Sequence, residues 1–145
     1  MDLQIARVDG DVTAEQWRHV HNVIIPTHPL SLDDVRERAT RNRLDVAYLG
    51  ETPVGCMTVR PPTDDEPAST VIARVLPEYR RRGLGGRLYA HGLAHARTLG
   101  DGPVETIVLA SNEDGLRFAL AHGFVEVERY VLPGDTIPYV TLRLA

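Results

Sequence analysis

Apolar residues recur along the chain at two spacings, and the switches between them mark out the elements. LQIARV, residues 3–8, alternates apolar and polar positions and predicts a first strand. Thr13 and Gln16 stand at capping-box spacing, which predicts a helix over 14–24 that ends ahead of Pro26. Ser31 and Asp34 repeat the N-cap signal and open a polar helix to Arg41. DVAYLG and VGCMTVRP predict a hairpin around Gly50-Glu51-Thr52-Pro53, followed by the polar loop PPTDDEPAS. STVIARVL is a strand rich in β-branched residues. A glycine-rich turn leads from it into a helix over 84–99, which Gly100 and Gly102 end. VETIVLA predicts a buried strand, and Asn112 caps the short helix EDGLRFALAH, closed by Gly123. FVEVERYVL and PYVTLRL form a last pair of strands. The order β-α-α-β-β-β-α-β-α-β-β predicts an α+β fold in three layers: a mixed, mostly antiparallel seven-stranded sheet with helices on both faces. No repeat or linker divides residues 1–145, so the chain reads as a single domain.

Composition narrows the function more than the fold. Sixteen basic residues against twenty acidic ones give a net charge of -4, which weighs against nucleic acid as a partner. Every basic residue is arginine, so no lysine is present to form a Schiff base or act as a base. Cys56 is the only cysteine, which excludes a disulfide framework and a cysteine-rich zinc motif and fits a cytoplasmic setting. The N-terminus lacks the apolar run of a signal peptide. No stretch approaches the ~20 apolar residues that span a membrane. His91 and His95 have the i, i+4 spacing of a helical zinc pair, but no third ligand accompanies them. Packing near Leu88 and Leu99 is their expected role, and no metal is expected.

The chemistry concentrates in VLPEYRRRGLGGRLY, residues 75–89. Glycines at 83, 85 and 86 let a ligand lie against the backbone. The unpaired N–H groups of the following helical turn make an anion site, to which three arginines add charge. A dinucleotide fingerprint fails because Leu88 stands where its last glycine is required, and a Walker A loop fails for lack of lysine. Val75-x-Pro77-x-x-Arg80-x-x-Gly83-x-Gly85 resembles the strand-turn-helix signature with which the GNAT superfamily of acyl-CoA-dependent N-acetyltransferases holds the CoA pyrophosphate. Asn112-x-x-Gly115-x-x-Phe118-x-x-x-x-Gly123-Phe124 is similar to that family's later helix. The element order is also the family's, so the resemblance covers the whole chain.

The resemblance implies acetyl-CoA as co-substrate and a primary amine, on a small molecule or a peptide, as acceptor. The strand holding Val75 and the strand ending at Ala110 should splay, with backbone groups near Ala73 and Val75 pairing with the pantetheine arm. Arg80, Arg81, Arg82, Gly83, Leu84, Gly85 and Gly86 should take the pyrophosphate, and Asn112 should face the arm. The N–H of Val75 is the expected donor to the thioester carbonyl. Relatives of this kind are often dimers built on their last strands, and EVERYVL is long enough to pair with a second copy. A bacterial, cytoplasmic enzyme is expected.

One position departs from the pattern. Ala119 stands where many members carry a tyrosine that protonates the leaving thiolate. His122 and Tyr130, with Tyr139, remain as hydroxyl or imidazole candidates, and His28 in the PTHPL loop is the expected base. Asp64-Asp65-Glu66 would suit a cationic acceptor but reads first as a solvated loop. The alternative is a non-catalytic protein that binds or senses acyl-CoA, which Ala119 favours, or a purely structural use of the fold.

Overall fold

The computed structural model describes residues 2–145. The elements run β1 (Leu3–Arg7), α1 (Gly10–Ile24), α2 (Leu32–Arg41), β2 (Arg43–Leu49), β3 (Thr52–Arg60), β4 (Ser69–Val75), α3 (Leu84–Leu99), β5 (Val104–Leu109), α4 (Glu113–Ala121), β6 (Phe124–Tyr130) and β7 (Tyr139–Leu144). A short 3₁₀ turn, Pro77–Tyr79, links β4 to the approach of α3. The predicted order therefore holds throughout.

Local side-chain chemistry explains most helix starts. Ser31 Oγ accepts from the Asp34 N–H at 3.1 Å, and Asp34 Oδ2 accepts from the Ser31 N–H at 2.9 Å, a reciprocal capping box for α2. Asn112 Oδ1 accepts from the Gly115 N–H at 3.0 Å and starts α4. The start of α1 differs from the sequence expectation. Asp9, not Thr13, is the N-cap, and the helix begins one turn earlier, at Gly10. Thr13 lies inside it and reaches back, its hydroxyl accepting from the Asp9 N–H at 2.7 Å and donating to the Asp9 carbonyl at 2.9 Å.

The seven strands form one sheet in the order β1-β2-β3-β4-β5-β7-β6. All neighbours are antiparallel except β4 and β5, which are joined by α3 and run parallel. The connection through α4 skips a place, and β7 fills the gap between β5 and β6. Strand alternation then sends side chains to two cores. One joins Val71, Leu84, Leu88, Tyr89, Ala119, Phe124 and Val140 beneath α3 and α4. The other joins Trp17, Val20, Val35, Val46, Cys56 and Tyr139 beneath α1 and α2. Trp17 is 1% exposed, and its indole N–H donates to the Met57 carbonyl at 3.2 Å. No helix among the described residues is long and apolar enough to cross a membrane.

Candidate active site

The parallel pair β4/β5 is joined only at its start. Ser69 and Thr70 lie opposite Val104 and Glu105, and pairing stops there, although both strands continue. Backbone alternation identifies the groups left open. The Leu76 N–H donates to Val54 on β3 at 2.8 Å, and the Ser69 N–H donates to Pro103 at 2.9 Å. The odd-numbered residues of β4 therefore face β5, which leaves the N–H groups of Ala73 and Val75 pointing into the gap. On β5 the Ala110 N–H donates to Pro138 at 2.9 Å, so Ile107 and Leu109 face the gap from the other side. The carbonyls at the two strand tips are closed from within the chain. Arg80 Nε–H donates to the Val75 carbonyl at 2.8 Å, and the Asn112 N–H donates to the Leu109 carbonyl at 2.8 Å.

A cavity of about 440 Å³ occupies this gap and passes through the sheet. Tyr89, Phe118 and Ala119 line it from the α3/α4 side, and Ile25 and Arg74 from the α1 side. It presents the unpaired N–H groups of β4 between apolar walls, the edge that an added extended chain pairs with.

The outer mouth of the gap meets the N-terminus of α3. Arg81 and Gly83 both adopt positive φ, 63° and 77°, which curls the chain into a concave loop. Gly83 is the N-cap and supplies no side chain, so the N–H groups of Leu84, Gly85 and Gly86 have neither an intrahelical acceptor nor a side-chain cap. The three arginines separate here. Arg80 turns inward, bonding Val75 and pairing with Asp114 at 3.2 Å. The Arg81 side chain is 82% exposed beside the loop. Arg82 lies over the Tyr79 ring, 5.5 Å from its centroid. The bare Cα of Gly85 faces Phe118 rather than the mouth: a Cβ there would stand 3.3 Å from Phe118 Cε2.

Of the histidine and tyrosine candidates, His122 sits at the mouth. Its Nδ1–H donates to the Phe118 carbonyl at 2.8 Å, its ring lies 4.0 Å from that of Phe118, and its Nε2 faces Gly86. His28 and Tyr130 lie on the opposite face of the sheet. The loop carrying His28 is clamped by Asn22, whose side chain accepts from the Leu30 N–H at 2.9 Å and donates to the Leu30 carbonyl at 3.0 Å. His28 Nε2–H donates to Asp135 Oδ2, which leaves Nδ1 as the free lone pair. Its ring is 5.9 Å from that of Tyr139, which stacks on Tyr130 at 5.8 Å. Burial raises both phenols above the ordinary tyrosine value, so both are hydrogen-bond donors near neutral pH. Tyr139 pairs with Leu109, the last residue of β5, which lines the cavity, but His28, Tyr130 and Tyr139 themselves do not line it. A second cavity of about 420 Å³, between the end of α1 and the β5–α4 turn, shares Arg80, Leu109, Asn112, Asp114 and Arg117 with the first.

Three features of the site carry no sequence signal. Asp135 lies 107 residues from His28. The Tyr89 hydroxyl is buried with no hydrogen-bond partner. Arg74 is half-buried in the gap. The acidic segment Asp64-Asp65-Glu66 is far from all of this. Its loop packs on Gly100 and Gly102, at the closed end of the β4/β5 pair, so it is a solvated loop and not a wall of the site.

The model of the Acetyltransferase (GNAT) family matches residues 12–124. No curated protein sequence matches the chain. Among solved structures, Ard1 from Thermoplasma volcanium superposes with a TM-score of 0.81 at 16% identity, over 97% of this chain and 95% of that one. Arabidopsis thaliana Naa50, solved with the bisubstrate analogue CoA-Ac-MVNAL, gives 0.76 at 20% identity over 98% of each chain. YncA from Salmonella typhimurium, solved with its cofactor acetyl-CoA, gives 0.74 at 17% identity over 98% of this chain and 92% of that one. The family match spans both the split strands and the glycine loop, and the chain belongs to the GNAT family of acetyltransferases, which use acetyl-CoA to acetylate an amine.

Proposed function

We propose that the gap between β4 and β5 receives acetyl-CoA as an eighth strand and presents its thioester to an amine arriving from the α1/α2 face. The observation that carries this reading is the early end of β4/β5 pairing, after Thr70 and Glu105, around a cavity lined from both faces of the sheet. The N–H groups of Ala73 and Val75 pair with the pantetheine amides and the thioester carbonyl, where a developing oxyanion gains most from them. Leu84, Gly85 and Gly86 hold the pyrophosphate through their N–H groups, with Arg81 and Arg82 adding charge. Arg80 acts from behind, fixing the strand tip. Asn112 uses its Oδ1 as a helix cap, which leaves its Nδ2 for the arm.

In the transfer itself, the neutral amine nitrogen attacks the thioester carbon, the new C–N bond forms and the C–S bond breaks, and CoA leaves as a thiolate. The proton lost by the nitrogen passes through water to His28 Nδ1, which Asp135 orients through Nε2. The thiolate takes its proton from solvent on the acceptor side of the gap, since Ala119 offers none and His122 stands at the phosphate end. β6 is one of the two edge strands of the sheet, exposes Val125 and Val127, and is where a second copy would pair.

Acetyl-CoA should stabilise the protein by mass action, by about 2.7 kcal/mol at a hundredfold excess over Kd. Gly83→Val, which forces a β-branched residue into positive φ, should abolish most of that shift. A wild-type protein indifferent to acetyl-CoA, or a variant that responds as well, would count against the assignment.

A further inference from the structure

Arg74 is the residue of the cleft that acetyl-CoA does not explain. Its backbone lies between Ala73 and Val75, whose N–H groups point into the gap. Its side chain leaves on the other face, opposite Cys56 in the β3/β4 register and on the same side as Leu76. It lines the cavity and makes no ion pair among the described residues. The Cys56 thiol, the Tyr139 hydroxyl, His21 and a second arginine, Arg38, lie within electrostatic range of it. Arg60 approaches the same face from the end of β3, beside Tyr130, Arg38 and Arg74, and also lacks a carboxylate partner. Of the acids on this side, Asp135 is committed to His28 and Glu105 to Arg143 at 2.7 Å, while Glu128 lies out by Tyr130 on the exposed edge strand and lines no cavity.

A half-buried guanidinium without a counter-ion destabilises the fold. Its planar fork matches a carboxylate in two parallel hydrogen bonds. Arg74 lines the cavity next to the proposed thioester position, and Arg38 and the exposed Arg60 add positive charge on the same face without lining it. They would repel a polyamine or a lysine-rich peptide. They would also favour the uncharged form of a bound amine, which is the form that attacks. Burial first, then Arg74, lowers His21, as expected of a face that carries positive charge when empty.

Resting on the reading of the cleft given above, we infer that the acceptor is a small amine that carries a carboxylate, an amino-acid-type substrate, and that Arg74 binds that carboxylate.

The test uses the full chain and matched probes: a panel of α- and ω-amino acids and the corresponding amides, which differ only in the charge. Thiol release from acetyl-CoA, and thermal stabilisation of the CoA-loaded protein, are both recorded. The inference expects a carboxylate preference of about 10- to 100-fold, the range of a hydrogen bond to a charged group. Arg74→Met should erase that preference while keeping its stabilisation by acetyl-CoA. Its own apo melting temperature should equal or exceed the wild type's, because an uncompensated charge is removed. Arg74→Gln is the second variant should methionine misfold. Equal use of amides and acids, or no stabilisation by any acid when acetyl-CoA does bind, would overturn the inference alone. No response to acetyl-CoA would overturn the cleft assignment beneath it.

Discussion

Arg80 folds back onto the strand it follows, its Nε–H donating to the Val75 carbonyl at 2.8 Å. The same guanidinium reaches Asp114 at the start of α4, so one side chain holds together the two tips of the split sheet. Arg80→Ala should therefore cost about 1–3 kcal/mol of stability, the penalty for a polar group left unpaired, and weaken acetyl-CoA binding as well. Arg81→Ala removes an exposed cation and should leave stability within about 0.5 kcal/mol. Denaturant unfolding with and without acetyl-CoA separates the two.

Gly85 shapes the cleft through Phe118. A valine there must displace the Phe118 ring, which a Cβ alone would approach to 3.3 Å. Gly85→Val should lower the melting temperature and weaken acetyl-CoA binding together. The double variant Gly85→Val/Phe118→Leu should recover part of both, giving a coupling energy of about 0.5 kcal/mol or more in a mutant cycle. Additive losses would show that Gly85 acts on the ligand directly.

His28 and Asp135 form a unit, so their variants should not add. His28→Ala should reduce kcat/KM by about 10²-fold or more, and Asp135→Asn by a smaller factor, with the double variant no worse than His28→Ala. Unchanged kcat/KM for His28→Ala between pH 6 and 9 would remove it from the mechanism.

His21 is 5% exposed, stacked on Trp17, and its pKa is lowered to about 4, by burial first and then by Arg74. The unfolded chain takes up this proton at an ordinary histidine pKa and the folded chain does not. Its stabilising effect is therefore complete above about pH 6.5 and declines as pH falls toward 4, by an amount on the order of 3 kcal/mol. His21→Phe should flatten the melting temperature over that window. An unchanged slope would assign acid lability to other groups.

The Tyr89 hydroxyl, buried and unpartnered, should be a net cost to the empty protein. Tyr89→Phe should raise apo stability by about 1 kcal/mol, measured by chemical unfolding. A loss would reveal a partner for the hydroxyl.

What could be read from the sequence was local. Ser31 with Asp34, and Asn112 with Gly115, mark helix starts because cap and backbone lie within a turn of each other. Thr13 has the same look and misleads, since a threonine one turn inside a helix can also bond backward. The cleft was legible only by resemblance, because no hydrophobic pattern distinguishes a strand that pairs along its length from one that stops after Thr70. Arg74 occupies a polar place in an alternating strand and looks solvent-facing until the sheet splits beside it. Asp135 meets His28 across most of the chain, a contact that no spacing rule encodes.

The unpaired edge of β4 also bears on how long the molecule lasts. Ala73 and Val75 should exchange their amide hydrogens freely in the empty protein and slowly when acetyl-CoA is seated. Opening of the sheet along that seam should expose the chain to proteolysis, and a ligand that pairs with the edge should oppose it. Cellular abundance of the protein would then rise and fall with the supply of acetyl groups, independently of any acceptor.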